Sequence, residues 1–134
     1  MLMKSGPALI QLLQTELHPI LRKEDGNRDA IHLYSLGDWW VAFESSAFQL
    51  SLRCPGASVL PLRLKDVPYP VLASCVASAD LPGHHSHQQR LTLRATCLDV
   101  KKYRKWREQK LGWFLEELQA ADVTDGKFEK ISRC

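Results

Sequence analysis

Three groupings of side chains in this 134-residue sequence have types and spacings that chemistry could use. The first is cationic. Lys101, Lys102, Arg104, Lys105, Arg107 and Lys110 stand against Glu108 alone within ten residues. The whole sequence carries a formal net charge of only +3, so the remainder is slightly acidic and the basic character comes from this one segment. Tyr103 and Trp106 lie among the cations. Aromatic rings beside phosphate-binding Lys and Arg are the physics of single-stranded nucleic-acid binding. The same cations are equally suited to an acidic protein surface. The plain alternative is a solvated face, with the two rings packed on the aliphatic stems of their neighbours. No RNA- or DNA-binding signature accompanies the run. An acidic partner protein is therefore the leading reading, and single-stranded nucleic acid the alternative.

The second grouping is a histidine loop. His84, His85 and His87 place three of the five histidines within four positions, with Asp80 four residues before the first. In an extended stretch His85 and His87 point the same way, a spacing that can grip one metal ion. A structural zinc site wants four ligands. Only Asp80 and the loop histidines are near in sequence, and the flanking Pro82-Gly83 and Gln88-Gln89 equally describe a solvated surface loop. The third grouping pairs cysteine with histidine. Nucleophilic catalysis needs an accessible thiol of lowered pKa beside an oriented base. Cys54, at a strand-to-turn junction, is the best placed nucleophile, with His32 or the loop histidines as bases, but no spacing supports a pair. Gly-rich phosphate loops, paired-carboxylate motifs and H-E-x-x-H are absent from the sequence. No cofactor is implied, and no catalytic residue is assigned.

Two helices and a set of strands must position these residues. Pro7 followed by Leu9, Ile10, Leu13 and Leu17 has the spacing of a helix face, and His18-Pro19 should end or kink that helix. From Ala30 the period changes to two. Ile31 to Leu36, Trp39 to Glu44 and Phe48 to Arg53 read as strands, with a turn at Gly37-Asp38 and a break at Ser45-Ser46. Val59 to Leu64 contains Pro61, which confines it to a sheet edge. Val71 to Ala79 suits a buried strand, and Leu91 to Cys97 alternates cleanly. Asp99 has the chemistry of an N-cap for a helix from Val100 to Ala121. Leu111, Phe114, Leu115 and Leu118 form the apolar stripe of that helix.

The expected fold is α+β: an antiparallel meander of about five strands flanked by an N-terminal and a long C-terminal helix, the two helices sharing one face. Residues 1–134 read as one domain, with 123–134 a frayed tail. Trp39 and Trp40 are adjacent, so in a strand they face opposite ways. One is core. The other needs a cover, and an exposed one would mark a homo-oligomer interface. No stretch approaches the roughly 20 apolar residues that cross a bilayer. Met1 to Leu13 has no small-residue cleavage site behind it and is not read as a signal peptide. The four cysteines include no C-x-x-C pair, so reduced core thiols in a cytoplasmic protein are expected rather than disulfides.

Overall fold

The computed structural model describes residues 2–65, 67–81, 83 and 88–120, with side chains described between 7 and 112. The first helix, α1, spans Leu2–Glu24. Leu9, Leu13, Leu17, Ile20 and Glu24 are buried, and their three- and four-residue spacing draws one stripe along it. The sequence implied an end or a kink at His18-Pro19; the helix does not end there but runs through Pro19. Proline removes one donor from the ladder. Here Thr15, whose carbonyl loses that partner, is exposed, as are His18 and Pro19. The opposite side stays anchored by Leu17 and Ile20.

Among the described residues five strands follow: β1 (Ala30–Ser35), β2 (Trp39–Phe43), β3 (Ser58–Leu62), β4 (Val71–Ala77) and β5 (Arg90–Arg94). Every pairing is antiparallel, in the order β3-β4-β2-β1-β5. The α+β class and the five-strand antiparallel sheet flanked by helices are therefore as the sequence implied. The order departs from a simple meander. Two hairpins, β1-β2 and β3-β4, meet through β2 and β4, and β5 returns to the far edge beside β1. Gly37 closes the first hairpin with φ at +94°, a backbone conformation that favours glycine. Pro61 lies in β3, an edge strand, as its missing donor requires.

One predicted strand is a helix. Glu44 to Arg53 forms α2. The alternation of Phe48, Leu50 and Leu52 suggested a single strand face. In a helix each two-residue step turns by roughly 200°, and the three side chains go to different places. Leu50 is fully buried with Ile31, Leu33, Trp40, Ala42 and Val76. Phe48 meets the last helix. Leu52 is 63% exposed. Ser45 and Ser46, read as a break, are buried in the first turn of α2.

The sheet has a core on each side. Trp39, Val41 and Phe43 face the α1 layer, with Tyr34, Leu60, Leu62, Val71 and Ala73. Trp40 and Ala42 face α2. The two tryptophans do point apart, but neither is bare: Trp40 is 2% exposed and Trp39 is half-buried against the α1 layer. The exposed-tryptophan motive for a homo-oligomer is thereby lost. The third helix, α3, spans Val100–Ala120 and packs on α2 and β3. The terminal helices thus do not share a face, because α2 has taken the side opposite α1. Residues 121–134, which include the expected frayed tail, lie outside the described residues. No helix among the described residues is long and apolar enough to cross a membrane.

Candidate functional site

The cationic segment opens α3, as expected. Asp99 caps it: the amide N–H of Lys102 donates to Asp99 Oδ1 at 3.1 Å. The helix then sorts the segment by its 3.6-residue period. Lys101, Lys102, Arg104 and Lys105 are exposed; Val100, Tyr103, Trp106, Arg107, Lys110 and Leu111 are half-buried on the inner stripe. Among the described residues, the four exposed cations have no side-chain hydrogen bond or ion pair. They also sit near the positive end of the helix dipole, where each cation costs about 0.3–1 kcal/mol, less when screened.

The inner residues have other work. Arg107 was expected to bind an external anion and instead binds Glu44. Its Nε–H donates to Glu44 Oε2 at 3.2 Å and its Nη2–H to Oε1 at 3.1 Å. The same Nη2 donates to the Pro70 carbonyl at 2.6 Å, and the guanidinium lies over the Tyr69 ring, 5.9 Å from its centroid. Burial alone would pull its pKa down, but the Glu44 carboxylate outweighs that and holds the charge. In the nucleic-acid alternative Tyr103 and Trp106 were to be stacking platforms for bases, and in the plain alternative they were to pack on their neighbours. Both rings pack on Phe48 of α2, at 5.8 and 5.3 Å between centroids, and on each other. Burial pushes the Tyr103 hydroxyl pKa well up, with Glu44 acting in the same direction.

Glu44 joins β2 directly to α2, at φ +48°, in the left-handed region that side-chain-bearing residues rarely adopt. The bend aims its carboxylate at Arg107 and at the Leu72 N–H, which donates at 3.4 Å just beyond the last β2–β4 pair, Phe43–Ala73. A second buried carboxylate, Glu24 from the end of α1, caps α2. Its Oε1 accepts from the Ser46 N–H at 2.9 Å and the Ser45 hydroxyl at 2.7 Å, and its Oε2 from the Ser46 hydroxyl at 2.6 Å. The helix dipole favours a carboxylate there. Sequence reading missed both residues. Left-handed geometry at a glutamate leaves no compositional mark, and the cap is supplied from about twenty residues upstream, beyond any local window.

These elements surround a cleft of about 810 Å³ between the end of α1, the start of α2, the β3–β4 connection and the first turns of α3. Arg22, Arg28 and Arg104 line it, from three different segments, together with Asp25, Glu24 and Glu44. A backbone bridge sets Arg28 beside α3: the Leu98 N–H donates to the Arg28 carbonyl at 2.6 Å, and the Ala95 N–H to that of Asp29 at 2.9 Å.

The other sequence candidates fare differently. His84, His85 and His87 lie outside the described residues, and Asp80 is exposed at the end of a short 3-10 turn. No group of three metal-ligating side chains occurs among the described residues. Cys54 is half-buried and its thiol pKa is pushed up, first by burial, the opposite of an activated nucleophile. His32 contacts Thr92 at 3.2 Å instead. Cys75 is buried as expected, whereas Cys97 is exposed. No family model, curated protein or solved structure matches the sequence.

Proposed function

We propose that this protein is a cytoplasmic, non-enzymatic binding module that holds an acidic partner protein on the outer side of α3. One observation carries the reading. Lys101, Lys102, Arg104 and Lys105 remain exposed without an internal anion among the described residues, on the same helix whose Arg107 is consumed inside the fold. Positive charge left near the unfavourable end of a helix dipole is a local rule broken, and such departures gather at functional sites. An acidic protein is favoured over nucleic acid because Tyr103 and Trp106 are half-buried and engaged with Phe48 and with each other, which leaves less of each ring to stack on a base.

The test is fluorescence anisotropy at low ionic strength with two labelled probes of matched length, a Glu/Asp-rich peptide and a single-stranded RNA. The expected result is saturable binding of the peptide, tighter than that of the RNA. No binding of the peptide, or a preference for the RNA, overturns the reading.

A further inference from the structure

We propose that the cleft beside α3 is a separate small-ligand site for a flat aromatic ring joined to phosphates, the class of nucleoside phosphates. Its volume of about 810 Å³ lies in the range of small-molecule pockets. The charges open to a ligand are mostly positive. Arg22, Arg28 and Arg104 are exposed, and none of their side chains has a hydrogen bond or ion pair among the described residues. Asp25 is the one exposed carboxylate lining the cleft among those residues. The two inner carboxylates are already engaged, Glu44 by Arg107 and Glu24 by Ser45 and Ser46. Phosphate oxygens suit the planar donor fork of arginine better than any other common anion except carboxylate.

The ring has its own partner. Tyr69 lines the cleft and is 45% exposed. Arg107 covers one face of its ring and is fixed by Glu44 and Pro70, so the tyrosine is held rather than loose. A held ring with open surface is a stacking platform for a heteroaromatic base. Among the described residues Glu24 is in no ion pair, and a carboxylate without a cation beside it disfavours an anion at the inner end, so the proposed phosphates lie towards Arg28 and Arg104.

The experiment is isothermal titration of the full chain at low ionic strength with ATP, tripolyphosphate and adenosine. ATP is expected to bind at least about tenfold more tightly than either fragment, because charge and ring act together. Arg28→Ala and Arg104→Ala should each weaken ATP about tenfold, the loss of one charge-assisted contact. Tyr69→Ala should reduce ATP to the affinity of tripolyphosphate and leave tripolyphosphate itself unchanged. Far-UV circular dichroism checks that each variant is folded, and Tyr69→Leu repeats the ring test with apolar bulk retained. A triple variant, Lys101→Ala, Lys102→Ala and Lys105→Ala, should leave ATP within about twofold, a difference too small for a direct contact. Equal affinity for ATP and tripolyphosphate overturns the proposal, as does absence of heat up to about 1 mM. So does a loss in the lysine variant as large as in the arginine variants, or tighter binding of a short single strand than of ATP. Arg104 belongs to both the outer face of α3 and the cleft, so the acidic-peptide reading is tested apart from this one on Lys101, Lys102 and Lys105 alone.

Discussion

The two sides of α3 share one stretch of sequence and obey opposite rules. On the inner side a cation, Arg107, is fixed by a carboxylate, a carbonyl and an aromatic face, and two aromatic rings close on Phe48. On the outer side four cations of the same charge run have no such fixtures. The difference teaches that a cluster of like charges in sequence is not one functional unit. The helical period divides it into a packed face and an exposed face, and the proposed partner would meet only the second.

The sharpest way to break this contrast is to attack the inner side. Arg107→Met leaves Glu44 buried without its cation and should cost about 3 kcal/mol of stability, measured by urea unfolding. A cost near zero would mean that the inner side is no more structural than the outer. Next is Glu24→Gln, which replaces the carboxylate at the start of α2 with an amide and turns one acceptor into a donor facing the Ser46 hydroxyl. The expected cost is about 2 kcal/mol. An unchanged urea midpoint would show that α2 does not depend on this cap.

These two carboxylates also mark where sequence reading stops. The strands of both hairpins, the edge position of β3, the Asp99 cap and the opposed tryptophans were legible, because each follows from a local period or a local chemical preference. Segment 44–53 was not. Its apolar residues alternate over too short a run to separate a strand from a helix. What favours the helix is Glu24, distant in sequence, together with an unusual backbone at Glu44. Pro19 does not end its helix for the converse reason: a local breaker is tolerated where tertiary packing holds both sides of it. The cationic run was visible in the sequence. Its division was not drawn from the sequence even though the run was placed on a helix, because the apolar stripe was read only from Leu111 onward and the inner positions Tyr103, Trp106, Arg107 and Lys110 are polar or aromatic. The cleft was not legible, since its arginines come from separate segments.

A smaller effect sharpens the comparison through a group unrelated to either side. Tyr34 is 2% exposed, and its hydroxyl has no hydrogen-bond partner among the described residues. Burial, with Glu24 adding to it, pushes its pKa from 10.0 up to about 12. The folded state therefore holds this proton more tightly than the unfolded chain. The associated stability is full below pH 10 and is lost as pH rises through about 12. Tyr34→Phe should be stabilising by up to about 1 kcal/mol at neutral pH, because an orphan polar group is removed. It should also flatten part of the alkaline decline in melting temperature, leaving the part due to Tyr103, whose pKa is raised in the same direction. A destabilised Phe variant would show that the hydroxyl has a partner.

The smallest effect on stability belongs to the outer side. Lys101→Ala, Lys102→Ala and Lys105→Ala together should change the urea midpoint little, each within about 0.5 kcal/mol, as for ordinary surface positions. The central claim is tested most directly by titrating the wild type and this triple variant with the Glu/Asp-rich peptide across a range of salt concentrations. Wild-type affinity is expected to fall steeply with salt, and the variant, still fully folded, to bind weakly with a much flatter dependence. If the variant binds as the wild type does, with the same salt slope, the outer side of α3 is an ordinary solvated face.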